Sequence, residues 1–184
     1  MSHIYIKTIN ISEKDNQHFI SADIQSQFKT AMNQWVSDIF IATIENRVVS
    51  FCFLMKENLE CGFLHYHIQN EFKPYFIKKY PMLNRKTNQV LYIYTSISFR
   101  KKGIATDLLN FVIQDLKSKN YHFLWLKKET SSNIYYNLNF FNFVDILEIL
   151  KIKEDFLNDY KNICNLSEQQ LLRGFGDIRL VKMI

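Results

Sequence analysis

The residues best suited to chemistry stand together in one run, Arg100, Lys101, Lys102, Gly103, Ile104, Ala105 and Thr106. Downstream of it, Ile104, Leu108, Leu109, Val112, Ile113 and Leu116 recur at helical spacing, with Asp107, Asn110, Gln114 and Asp115 off that stripe. Upstream, residues 91–97 (LYIYTSI) are aromatic and β-branched without a helix start signal, which predicts a strand running into a turn at 100–103. A helix that opens directly after such a turn leaves its first N–H groups unpaired. It aims them, with the positive end of its dipole, at whatever lies before it. Gly103 and Ala105 keep side chain out of the way, Thr106 adds a hydroxyl, and Arg100, Lys101 and Lys102 add positive charge, so a pyrophosphate suits the place. A dinucleotide fingerprint needs three glycines and a nucleotide-triphosphate loop needs a longer glycine run ending in Lys-Ser/Thr; both are absent. The same residues also fit an ordinary strand-turn-helix junction with solvated lysines.

Arg100 to Ala105 resembles the coenzyme-A-binding signature R/Q-x-x-G-x-G/A of the GNAT superfamily of N-acetyltransferases. A second stretch, YYNLNF at 135–140, resembles the family's later Y-x-x-L-G-F segment, with Tyr135, Leu138 and Phe140 in place and Asn139 where glycine is usual. Asn is a side chain that tolerates the left-handed backbone expected after a helix. Between the two lies YHFLWL, 121–126, as a strand, so the resemblance spans residues 90–145.

The resemblance implies an α/β fold with a central, mostly antiparallel sheet of six to seven strands, splayed between strands 4 and 5, and helices on both faces. It implies acetyl-CoA as co-substrate and a primary amine as acceptor, whether a small molecule, a peptide N-terminus or a lysine. The amine must be neutral to attack the thioester, the tetrahedral oxyanion wants an N–H donor, and the departing thiolate wants a proton. By the resemblance, backbone at Ile93, Tyr94 and Thr95 contacts the acyl and pantetheine arm, Thr95 standing where valine is frequent. Tyr135 takes the place of the general acid, or donor to sulfur; its other reading is a core aromatic. The base stays open between Glu129, which also reads as a solvated loop charge, and water. The family's Asn falls on Lys128, so that role is not transferred to Asn133. Two further readings stand beside catalysis: a non-catalytic coenzyme-binding member of the fold, and a basic binding module without coenzyme.

The elements that must position these residues follow from composition and order. With 184 residues and 47% hydrophobic content the chain reads as a single domain, 1–184, and its 16 Phe predict a ring-rich core. Only 4 Gly and 2 Pro occur, so Asn is expected at left-handed positions. A net charge of +5 with no nucleic-acid module leaves nucleic acid an unexpected partner. Cys52, Cys61 and Cys164 follow no pairing or metal spacing, and no signal core or membrane span is legible, so a reduced, cytoplasmic setting is expected.

Residues 3–11 alternate as a first strand. Residues 12–35 carry Phe19, Ile20, Ile24, Phe28, Met32 and Trp35 at helical intervals, read as two helices broken near Ser21; the resemblance makes them a wall of the acceptor groove. Residues 38–44 and 47–55 form a hairpin turning at Glu45 and Asn46. Residues 56–89 read as an insertion, an aromatic flap over the acceptor or a dimer contact. Its His65 and His67 share a strand face but have no third ligand at useful spacing, so no metal is expected. Residues 140–153 read as a long sixth strand, 154–164 as a helix, Ser167 with Gln170 as a capping box, and 177–184 as a closing strand beside the fifth and sixth.

Overall fold

A computed structural model describes residues 3–55, 68–127, 134–164 and 179–184. Along the chain run β1 (Ile4–Ile9), a 3-10 turn (Ile11–Asn16), α1 (Ala22–Ala31), β2 (Val36–Ile44), β3 (Arg47–Met55) and α2 (Lys73–Lys79). Then come β4 (Thr87–Thr95), a 3-10 turn (Ile97–Phe99), α3 (Ile104–Ser118), β5 (Phe123–Lys127), α4 (Ile134–Asn137), β6 (Phe141–Asn142), α5 (Phe143–Ile149), α6 (Lys153–Cys164) and β7 (Arg179–Met183). The chain divides into two compact units, Met1–Glu57 with Gln89–Lys119, and Asn58–Asn88 with Asn120–Ile184.

In the first unit β1, β2, β3 and β4 pair in succession, all antiparallel. The hairpin between β2 and β3 turns on Glu45 at φ 50 and Asn46 at φ 62, two left-handed residues that match the twist of the flanking strands. Side-chain alternation then gives the sheet two apolar faces. Ile39, Ile41, Phe51 and Phe53 meet Ile24 and Phe28 of α1, Phe28 lying edge-on to Phe51 and Phe53 at 5.0 and 4.9 Å. Ala42 and Val49 point the other way, to Ile104 of α3. The stripe expected on α3 is buried throughout, from Ile104 to Leu116. Each such side chain contributes about 1.5–3 kcal/mol when fully buried.

In the second unit β7 lies between β5 and β6, antiparallel to both, as the closing strand was expected to. Residues 140–153 are not a long strand. Only Phe141 and Asn142 pair, opposite Val181 and Leu180, before α5 begins. Phe143, Ile146 and Leu147 recur at helical spacing and are buried, while Asp145 and Glu148 share the helix's remaining face, so the period of the apolar residues overrides their β-branched content. Part of the presumed flap is core as well: α2 carries Phe76, 0% exposed, and ends at Tyr80, 3% exposed, both packed with Phe156 of α6. β4 begins at Thr87, four residues earlier than expected, and ends at Thr95. The first of the two segments read as helices before Ser21 is a 3-10 turn. Cys61, His65, His67, Lys128, Glu129, Asn133, Ser167 and Gln170 lie outside the described residues.

Candidate functional site

The run that opened the sequence reading forms the turn between β4 and α3. Ser96 continues the ladder through its N–H to the Val49 carbonyl (2.9 Å), and Phe99 N–H returns to the Ser96 carbonyl (2.8 Å), closing the 3-10 turn. Lys101 at φ 60 and Gly103 at φ 81 then reverse the chain into α3. Gly103 is the N-cap and brings no side-chain cap; the first helical bond runs from Asp107 N–H to the Gly103 carbonyl (3.0 Å). A Cβ on Gly103 would meet no atom of the described residues within 4 Å, so there is room beside the helix start. Ile104 is buried against Ala42 and Val49 and holds the helix mouth to the sheet. A helix start without a side-chain cap and with room beside it fits a diphosphate.

The three cations differ in how they are held. Arg100 Nε donates to the Thr95 carbonyl (3.2 Å) and its guanidinium lies 5.2 Å from the Tyr94 ring centre. Lys102 Nζ lies 4.8 Å from the Phe99 ring centre, while Lys101 is exposed on its left-handed backbone. Ile93, Tyr94 and Thr95 are half-buried at the end of β4, opposite Cys52, Phe51 and Ser50. Ser50 Oγ donates to the Tyr94 carbonyl (2.8 Å) and lies 2.8 Å from Thr95 Oγ1. Ala105 and Thr106 are half-buried in the first turn of α3.

Sequence reasoning missed the group that organises this end of β4. Asp23, in the first turn of α1, accepts the Ser21 and Ser96 hydroxyls on Oδ1, the latter at 3.2 Å. On Oδ2 it accepts the Tyr94 hydroxyl (3.1 Å) and the Ile97 N–H (3.0 Å). The Ser21 bond, opposed by burial and helped by the Ile97 amide and Tyr94 hydroxyl, holds the carboxyl down at about 2. Burial and the bond to Asp23 push the Tyr94 phenol up. A carboxylate so saturated is a poor general base. The Ser-x-Asp at a helix start was a legible capping signal; its partners, more than seventy positions away, were not.

Tyr135 lies in the second unit, on α4, half-buried and edge-on to Phe140 at 5.9 Å. Phe140 N–H bonds the Tyr135 carbonyl (2.9 Å), and Asn139 takes φ 58, the left-handed place that glycine fills in the motif it resembles. Along α1, a cavity of about 480 Å³ is lined by Lys14, Asp15, Gln17, Phe19, Gln25, Phe28, Lys29 and Met32.

Comparison with known proteins finds the Acetyltransferase (GNAT) family matching residues 10–140. No curated protein matches the sequence. Among solved structures, a GNAT family acetyltransferase from Elizabethkingia anophelis with acetyl-CoA bound is 16% identical, with 98% of each chain covered and a TM-score of 0.49. The ribosomal-protein-S18-alanine N-acetyltransferase of Escherichia coli is 13% identical over 76% of this chain and 79% of its own, with a TM-score of 0.48.

Proposed function

The chain belongs to the GNAT acetyltransferase family, and on that premise we propose that it transfers an acetyl group from acetyl-CoA to a primary amine by direct attack in a ternary complex. The observation that carries the reading is the start of α3 without a side-chain cap, with Gly103 left-handed and room beside it for a ligand. There the amides of Gly103, Ile104, Ala105 and Thr106 would hold the diphosphate, with Lys101, Lys102 and Arg100 adding charge. Backbone at Ile93, Tyr94 and Thr95 would line the pantetheine arm and steady the oxyanion, and Tyr135 would donate to the departing sulfur. The acceptor, a small molecule, a peptide N-terminus or a lysine, would approach along α1. The setting for this chemistry would be the cytoplasm.

Titration calorimetry and a thermal shift with acetyl-CoA test the first half; a hundredfold excess over Kd adds about 2.7 kcal/mol of stability. Release of free thiol with a panel of amines tests the second. Tyr135→Phe should cut turnover roughly 100-fold while coenzyme affinity holds; an unchanged rate removes Tyr135 from the chemistry. A coenzyme-binding member without turnover is the second reading, favoured by Asp23, a carboxylate beside β4 whose oxygens are already taken. Binding without thiol release across the panel would select it.

A further inference from the structure

We infer that Asp23 is a positioning residue that fixes the entry into the coenzyme turn from helix α1, so that α1 and the turn act as one body. The inference rests on the function proposed above for that turn. Ser96 is the N-cap residue of the 3-10 turn Ile97–Phe99, yet its own side chain does not cap it. The capping acceptor comes instead from Asp23, through the Ile97 N–H (3.0 Å). A bond to a backbone amide holds the chain itself, and so sets where residues 97–100 start toward Gly103. The other holds on this segment are Phe99, half-buried against Ala42, Val49 and Ile104, and the Arg100 Nε bond to the Thr95 carbonyl; Ile97 itself is 63% exposed, and Ser98 and Arg100 are exposed.

The attachment has a matched second point. One helical turn beyond Asp23, Gln27 accepts the Tyr92 hydroxyl at 2.6 Å, just as Asp23 accepts that of Tyr94 at 3.1 Å. Four helical residues advance about 6 Å and two strand residues about 6.6 Å, so i and i+4 of α1 meet i and i−2 of β4 in register. The hydroxyls are fully accounted for. Ser21 gives its proton to Asp23, and the Ser96 proton serves Asp23 or the Ser21 oxygen 2.9 Å away. Every donor is neutral, so what Asp23 sets is geometry rather than charge balance. Because α1 is also the proposed approach of the acceptor, the same carboxylate ties the two substrates' sites together.

The test is Asp23→Ala in the full chain, which removes both acceptor oxygens and leaves the Ile97 N–H and the Tyr94 hydroxyl without the carboxylate. Hydrogen exchange, run without coenzyme, should show the amides of residues 96–103 exchanging roughly tenfold faster or more. Acetyl-CoA should bind about tenfold more weakly, and its KM should rise by the same factor with a smaller change in kcat. Asp23→Asn and Asp23→Glu each keep an acceptor oxygen and should recover part of the protection; they also supply the comparison if the Ala variant does not fold. Gln27→Leu breaks only the second attachment and should leave residues 96–103 as slow as in the parent. Unchanged exchange in Asp23→Ala overturns the inference, as does equal loosening by Gln27→Leu. A loosened turn with unaltered coenzyme affinity removes its link to the substrate. A parent protein that ignores acetyl-CoA sinks the proposed function and this coupling with it, while the exchange data still decide whether Asp23 holds the turn.

Discussion

Each compact unit has an aspartate that gathers donors, and the two are wired differently. Asp159 of α6 takes the Tyr80 hydroxyl (2.7 Å), the Tyr75 hydroxyl (3.0 Å) and Lys79 Nζ (2.5 Å) on a single oxygen, all from α2 and its C-terminal cap. Around it Phe76, Tyr80, Phe156 and Tyr160 meet at centroid distances between 5.1 and 6.4 Å. Burial works against its charge, but the bonds from Lys79, Tyr80 and Tyr75 prevail and keep the carboxyl below its ordinary range. Asp23 takes only neutral donors, on two oxygens, among them the Ile97 backbone amide. The rings would hold α2 to α6 without Asp159, because stacked area does most of that work. Of residues 97–100, Ile97, Ser98 and Arg100 are exposed and Phe99 packs on the core, so the start of the segment at Ile97 rests on the Asp23 carboxylate rather than on buried area. A polar contact matters most where packing leaves the backbone undetermined.

The strongest way to break that contrast is Gly103→Glu. The new Cβ enters open space, so the variant should fold, at a cost of about 1–2 kcal/mol for a left-handed non-glycine residue. Its carboxylate then stands where a diphosphate would, and coenzyme affinity should fall roughly 100-fold or more in calorimetry. Gly103→Ala carries the strain without the charge and should keep most of the affinity. If the Glu variant binds as the parent does, the diphosphate sits elsewhere and the turn loses its claim to be the functional region.

A smaller effect should come from Asp159→Asn, at about 1–2 kcal/mol in urea unfolding, since the node is partly exposed and the rings remain. Coenzyme affinity should stay at the parent value. Should affinity drop along with stability, the aromatic block is no mere buttress and the contrast between the two carboxylates fails.

Much of this was legible beforehand, for physical reasons. The stripe from Ile104 to Leu116, the Glu45–Asn46 hairpin and left-handed Asn139 are local, each decided by a few neighbours and a backbone preference. Phe143 to Ile149 misled because its β-branched and aromatic content suggested strand, while the spacing of Phe143, Ile146 and Leu147 already carried the helix. Phe76 and Tyr80 looked like a flap because nothing local shows that Phe156 and Tyr160 cover them. Asp23 was the hardest to see. Ser21-x-Asp23 marks a helix start, and only the folded sheet brings Tyr94, Ser96 and Ile97 to the same carboxylate.

The smallest effect is also the sharpest on geometry, because it reads Asp23 in solution without any ligand. Its carboxyl sits at about 2, below the 3.8 of an unperturbed aspartate, so the unfolded chain takes up the proton first as pH falls. The stability it contributes is therefore whole above about pH 4 and is lost as the pH drops from there through about 2. Asp159 is held low as well and steepens the same acid limb in both proteins, so the informative quantity is a difference. Between pH 5 and pH 2 the parent should lose more stability than Asp23→Asn by on the order of 1 kcal/mol, a figure discounted for the partial exposure of Asp23. Asp159→Asn should flatten that limb too, but without any change in exchange at residues 96–103. Parallel acid limbs for the parent and Asp23→Asn would mean that the carboxyl titrates as it does unfolded. The arrangement of donors around Asp23 would then not be populated in solution, and the two aspartates would differ only in the company they keep.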